Sequence, residues 1–347
     1  MISAHWTSPV FPTFLKGFTM KTTAYSPTVS RAAAFRFARM CMECGSMADA
    51  AAAARRMARR IRGSARKRGT WKYFLVRFAR AIDAGAMPHS VFAAEGNVKL
   101  PFVAFSTLPV VTCPGAGECA GISTRGGAPD LSRAFCYSLR AWRYPAAFLR
   151  QCQNTLLLRF NRRAIIDAFK ALPEGITFRL YVDGDFDSEA TALFWFNLLR
   201  QRPDVACYGY SKSWGIIEKL EGQVPPNYAL NLSSGGIDDD DAAFRARLRA
   251  LPFVRGDFLA LPVVGDFAEG FARYADPEYH RAVRAAAAAA GLGKVFSCPG
   301  QCGACTGAGH ACGATLPVSS PRVDPGRCAD NVGRRFIMPL PVVIGIH

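Results

Sequence analysis

The residues of this 347-residue chain best suited to chemistry are its twelve cysteines, at 41, 44, 113, 119, 136, 152, 207, 298, 302, 305, 312 and 328. Four of them, Cys298, Cys302, Cys305 and Cys312, fall within fifteen residues and are separated mostly by Gly and Ala. Such spacers leave little to pack, so this segment is expected to fold around a metal, whose binding energy is then folding energy. Four thiolates make a closed site, either structural zinc or a fully ligated iron–sulfur cluster. His310 is an alternative ligand, and Cys328 is a spare ligand or a buried thiol.

A second group is more open. Cys113-Pro-Gly-Ala-Gly-Glu-Cys119 is followed by Cys136-Tyr137. Its glycines allow a backbone to wrap closely around an inorganic centre. Three thiolates on a [4Fe–4S] cluster leave one iron free for a non-protein ligand. The alternatives are three unconnected cysteines, or a loop zinc with a fourth ligand elsewhere. Cys41-Met-Glu-Cys44 is a CxxC with no second pair, and Cys152 and Cys207 read as core positions. A disulfide framework belongs to small exported domains. This chain is not small, and residues 1–20 have Pro9 and Pro12 and no clean apolar block, so they do not read as a signal peptide. A cytoplasmic protein is expected, with Met20 an alternative start.

The elements that must hold these cysteines alternate. An apolar strand is expected over 102–111, just before the first cysteine loop, and a two-piece helix over 144–172. Further strands are expected at 176–182, 205–210, 228–232 and 257–264, with helices at 189–200, 215–220, 242–251 and 277–290 between or after them. Ser188 is placed to cap one helix and Gly291 to end another. Asp238 to Asp241 precede a helix whose later turns hold Arg245, Arg247 and Arg249, an order that complements the helix dipole. Strands separated by helices imply a parallel α/β sheet, a partial or complete βα barrel, with a doubly wound sheet as the runner-up. In either fold ligands sit at the carboxyl ends of the strands.

Polar groups gather at those ends. Asp183-Gly184-Asp185 closes one strand, Ser211 and Lys212 the next, and Asn231 and Ser233 the one after. Together they outline a pocket, although Asp183 to Asp187 also reads as an ordinary turn into a helix. Walker, GxGxxG and HExxH patterns are absent, and five scattered histidines make poor material for a His-based triad.

Charge divides the chain. Residues 1–90 carry sixteen Lys and Arg against three Asp and Glu, while the rest carries twenty-seven against twenty-three. Three regions follow: a basic Ala/Arg-rich helical arm (1–95), a barrel-like core with the first cysteines (96–295) and a cysteine-rich metal-binding segment with its tail (296–347). Such an arm attracts nucleic acid or another acidic surface. No apolar run approaches the ~18 residues of a membrane span.

The order CPGAGEC, FCY, RLYVDGDFDS, YGYSKSW and CPGQCGAC, over about residues 102–312, resembles the phage gene-product-88-like family. The basic arm lies outside it. The layout also resembles radical S-adenosylmethionine (SAM) enzymes, which carry an aromatic residue before the last cluster cysteine, as Phe135 precedes Cys136. That resemblance implies a [4Fe–4S] cluster on Cys113, Cys119 and Cys136 whose open iron takes SAM. It also implies Asp183-Gly184-Asp185 at the methionine amino group, Asn231 and Ser233 at the ribose, and an auxiliary cluster or zinc on the C-terminal cysteines. An external reductant of unspecified identity would be needed. The gaps of five and sixteen residues depart from the CxxxCxxC of that family, a spacing found instead at Cys298, Cys302 and Cys305. The expected function is a radical-SAM-like enzyme of a phage or mobile element. The alternative is a zinc-stabilised nucleic-acid-binding protein without catalysis.

Overall fold

The computed structural model describes residues 29–93, 103–268, 272–300 and 340–346. Three helices come first: α1 (Arg31–Glu43), α2 (Met47–Arg60) and α3 (Trp71–Asp83). Ser30, Ser46 and Thr70 cap them, each accepting a backbone amide of the first turn. α2 and α3 match the helices expected within the basic arm at 47–61 and 71–82, and α1 precedes them. Then come β1 (Val103–Ala104), a short α4 (Ser138–Ala141), α5 (Pro145–Phe160) and α6 (Arg162–Lys170), the last two divided by Asn161, whose side chain caps α6.

The rest alternates as expected, with small shifts of boundary. It runs β2 (Thr177–Leu180), α7 (Glu189–Arg200), β3 (Ala206–Ser211), α8 (Trp214–Lys219), β4 (Tyr228–Ser233), α9 (Ala242–Arg249), β5 (Val254–Pro262) and α10 (Pro277–Ala289). Two strands not foreseen complete it, β6 (Phe296–Ser297) and β7 (Val342–Ile346). The strand expected over 102–111 is much shorter in the fold. Past Ala104, Phe105 and Thr107 still donate to the Arg179 and Asp183 carbonyls, and the chain then turns away at Pro109, which has no amide to donate, and Val110, at a φ of 69°.

Among the described residues the seven strands form one sheet, parallel at every pairing, in the order β1-β2-β3-β4-β5-β7-β6. The first five follow in chain order with no reversal. A doubly wound sheet reverses order at an internal switch point, whereas here the order reverses only at one edge, between β7 and β6.

The two faces differ in chemistry. Phe178 and Leu180 of β2, Cys207 of β3, Leu230 and Leu232 of β4 and Val254 of β5 share one apolar core with Phe169, Trp195, Phe196, Ile217 and Leu248 of the helices. Each large side chain buried there contributes roughly 1.5–3 kcal/mol. The alternate residues point the other way. Arg179 pairs in register with Tyr208, Tyr210 with Asn231, and Ser233 with Phe258. This second face is therefore aromatic and polar. The Arg179 guanidinium lies 4.6 Å from the centre of the Tyr210 ring, and that ring meets Phe258 edge-on at 4.9 Å.

The basic N-terminal helices are packed into the molecule. Phe37, Trp71, Leu75 and Phe78 share an apolar cluster with Trp142, Phe148, Leu149 and Leu156 of α5 and its approach. Arg159 of α5 donates to the carbonyls of Cys41 and Cys44 at the end of α1. The segment after Gly300, with Cys302, Cys305 and Cys312, lies outside the described residues.

Candidate metal centre

The first cysteine loop lies across the carboxyl ends of β3 and β4. Gly117 and Cys119 both donate their amides to the Gly235 carbonyl, at 3.0 and 3.1 Å. Ile237 donates to Gly115, Ala116 bridges Gly236, and Cys136 donates to the Cys119 carbonyl at 2.8 Å. This backbone lattice brings the third cysteine back beside the second across sixteen residues of chain.

The loop's glycines serve this docking. A Cβ on Gly115 would overlap the carbonyl of Lys212, and one on Gly117 would come within 2.6 Å of the Gly236 carbonyl carbon. Gly235, with φ of 86°, would place a Cβ 2.8 Å from that of Cys119. Only glycines let the loop and the strand ends approach this closely.

Cys119 is buried, and Cys113 and Cys136 are half-buried. Burial pushes all three thiols up, Cys119 to about 12, and each interacts electrostatically with others of the set. Lys212 faces them. Its Nζ donates to Ser233 Oγ at 2.8 Å. Burial disfavours its charge, but Cys119, Cys136 and Asp185 outweigh that and hold its ammonium above the ordinary range. Val110 and Tyr181, at φ of 69° and 57°, flank the site in the left-handed region, where such side chains are strained and where strain marks functional sites. A cavity of about 350 Å³ borders Cys113, between Phe35 and Arg39 of α1 and Val110, Ile122 and Arg125 of the loop.

The acidic residues ending β2 are heavily engaged. Asp185 is buried and accepts from Phe186 N, Ser211 Oγ, Lys212 N and Ser213 N, at 2.7–3.2 Å. Asp183 accepts from Gln151 Nε2 at 2.9 Å, and its amide donates to Ser106 Oγ at 3.3 Å. Gly184, at φ of 81°, lies against Thr107 and Thr112, whose hydroxyls occupy the space a Cβ would need. Asn231 donates to the Gly209 carbonyl at 3.1 Å, within the sheet's polar face. Thus Asp185, Ser211, Lys212 and Ser233 meet beside the three cysteines, Asp183 stands near Cys136 while bonding Gln151 of α5, and Asn231 sits lower on the sheet.

The structure brings to the site residues that the sequence read only as part of a helix start or a motif. Asp239 stands near Cys119 and Lys212, pairs with Arg245 at 3.1 Å and accepts the Gly235 amide. Tyr137 Oη donates to the Val182 carbonyl at 2.5 Å. Asp241 caps α9 through the Phe244 amide, and Asp238 pairs with Arg125. Each of these three members of the acidic run has a structural partner. Cys298 follows β6, half-buried, and its amide donates to Val343, so the second group begins at the same end of the sheet.

Among the described residues no three His, Cys, Asp or Glu side chains are spaced to share one metal ion. Cys113, Cys119 and Cys136 are the residues that could hold an iron–sulfur cluster, whose ligand sulfurs sit on separate irons and stand farther apart than ligands of a single ion.

Comparison with known families bears on this same stretch. The gene product 88 family model matches residues 83–255. No match was found among curated proteins or among solved structures. The gene product 88 region runs from the end of α3 into the second residue of β5, and so includes Cys113, Cys119, Cys136, Asp185, Lys212 and Ser233. It begins earlier than the expected residue 102 and stops short of Cys298, so the C-terminal cysteines fall outside the family match.

Proposed function

We propose that this chain is an iron–sulfur enzyme of radical-SAM type, built on a partial βα barrel. The observation that carries this reading is the gathering of Cys113, Cys119 and Cys136 beside Lys212, at the carboxyl ends of parallel strands that follow in chain order. Cys113, Cys119 and Cys136 would hold a [4Fe–4S] cluster, which, kept reduced by an external electron donor, would supply the one-electron chemistry of SAM cleavage. The chain's own residues bind and orient. Lys212 neutralises charge at the thiols. Asp185 fixes the backbone that carries Lys212. Arg179, Tyr208 and Tyr210 lie together on the sheet's polar face, the two rings beside the guanidinium. The remaining C-terminal cysteines would hold zinc or a second cluster.

The test is composition. Anaerobically purified protein should be brown and contain iron and acid-labile sulfide, and Cys119→Ser should lose about one cluster's worth of iron. Colourless wild-type protein holding only zinc overturns the reading and favours a zinc-stabilised binding protein.

A second proposal concerns partners. Nucleic acid is the partner we assign to the basic N-terminal helices, because residues 50–82 hold eleven Lys and Arg and no acid. No described helix is long and apolar enough to cross a membrane.

A further inference from the structure

The N-terminal charge has a shape. α2 ends in Arg59 and Arg60, the connection to α3 carries Arg62, Arg66, Lys67 and Arg68, and α3 carries Arg77 and Arg80. All eight are exposed. The nearest acids are engaged: Asp83 pairs with Arg55, and Asp49 bonds the Ser46 hydroxyl.

The connection is built, not loose. Ser64 Oγ accepts the Arg66 amide at 3.1 Å, Thr70 Oγ1 donates to the Lys67 carbonyl at 2.9 Å, and Lys72 Nζ donates to the Ile61 carbonyl at 3.0 Å. Gly63 and Gly69 make its turns at φ of 97° and 81°. These bonds set Arg66, Lys67 and Arg68 in a fixed arc.

Between that connection and α3 lies a cleft of about 380 Å³. Its walls are Ala65, Tyr73, Val76, Arg77, Arg80 and Ala81. Tyr73, Arg77 and Arg80 recur at helical spacing, so they share one face of α3. An aromatic ring beside guanidinium groups in a groove is the arrangement that holds an unpaired nucleic-acid strand, with bases stacked and phosphates neutralised. A folded duplex would use the charges but not the ring.

We infer that the cleft between the 62–68 connection and α3 is a binding site for single-stranded nucleic acid. Arg66, Lys67, Arg68, Arg77 and Arg80 meet its phosphates, and Tyr73 stacks on a base. This deepens the nucleic-acid proposal above and rests on it, and it is independent of any metal.

The experiment is fluorescence anisotropy of the full chain with a labelled single-stranded oligonucleotide and a duplex of the same sequence, across a salt series. Three variants accompany it: Arg77→Ala/Arg80→Ala, Arg66→Ala/Lys67→Ala/Arg68→Ala, and a control, Arg163→Ala/Arg281→Ala, which removes two exposed charges from α6 and α10. The single strand should bind more tightly than the duplex. Both cleft variants should weaken it by about tenfold or more and flatten the slope of log K against log salt by about 0.7 for each phosphate no longer neutralised. The control should bind like wild type. Binding by wild type that both cleft variants retain overturns the cleft and leaves nucleic acid as the partner. Duplex preference overturns the stacking role of Tyr73. No binding by wild type at low salt overturns the nucleic-acid proposal and the cleft together.

Discussion

The Asp185 carboxylate accepts the backbone amide of Lys212 at 2.7 Å, tying the turn after β2 to the end of β3. It also holds Ser211 and Ser213, so one buried side chain fixes the segment from which Lys212 reaches toward the cysteines. Removing it leaves buried amides without their acceptor. Asp185→Ala should cost about 3 kcal/mol or more, read as a lower urea midpoint. Lys212→Met keeps the backbone amide and most of the stem, so it should cost far less stability while reducing iron loading. Equal destabilisation by the two variants would mean that Lys212 is chiefly a structural residue.

The glycines of the cysteine loop give a sharper contrast. Gly115→Ala and Gly117→Ala each drive a methyl group into the backbone of a strand end. The loop must lift, at a cost of about 1–3 kcal/mol, and the thiols of Cys113, Cys119 and Cys136 should become reactive toward a disulfide reagent. Gly215, in α8, has open space where a Cβ would go and an ordinary helical backbone. Gly215→Ala should be neutral or stabilise by roughly 0.5–1 kcal/mol. Thiol titration and chemical denaturation of the three variants check both halves.

Much of this architecture is legible in the sequence because its signals are local. Ser188 before an apolar helix, the alternation in RLYVDG, and acids leading bases around α9 each act within a few residues. What the sequence hides is long-range. The purpose of Gly115 and Gly117 appears only when the loop meets Lys212 and Gly236, about a hundred residues away. β7 is a β-branched run, but its partner β5 lies some eighty residues earlier. Asp239 looks like one of four acids before a helix until Gly235 and Cys119 are placed against it. α1 is rich in Ala and Arg, and its apolar positions have meaning only once α5 is there to receive them.

That last pairing of helices bears on truncation. The N-terminal helices read as an appendage by charge, yet they cover Trp142, Phe148, Leu149 and Leu156. A chain beginning at residue 91 would expose this cluster, each large side chain forfeiting roughly 1.5–3 kcal/mol. It should be insoluble or bind a hydrophobic dye strongly, whereas a chain beginning at residue 29 should melt as a folded protein. A soluble, cooperatively melting chain from residue 91 would show that α1–α3 are dispensable to the fold.

Asp239 makes stability depend on pH with an unusual sign. Its side chain is about 14 % exposed, and burial raises its carboxyl from 3.8 to about 6, with Arg245 and the Gly235 amide pulling only partly against that. Between these values the folded protein holds a proton that the unfolded chain has released. The contribution is therefore fully present below about pH 4 and is lost as the pH rises through about 6, up to ~3 kcal/mol in all. Asp239→Asn has no such titration, and Arg245 keeps Asp257 as a partner at 2.9 Å. Other groups titrate in both proteins and cancel in the difference. Urea denaturation of wild type and variant from about pH 4 to pH 7 should show the wild type gaining on the variant toward acid. A difference that stays flat, or that grows in favour of the wild type toward neutral pH, would mean that the Arg245 ion pair outweighs burial at this carboxylate.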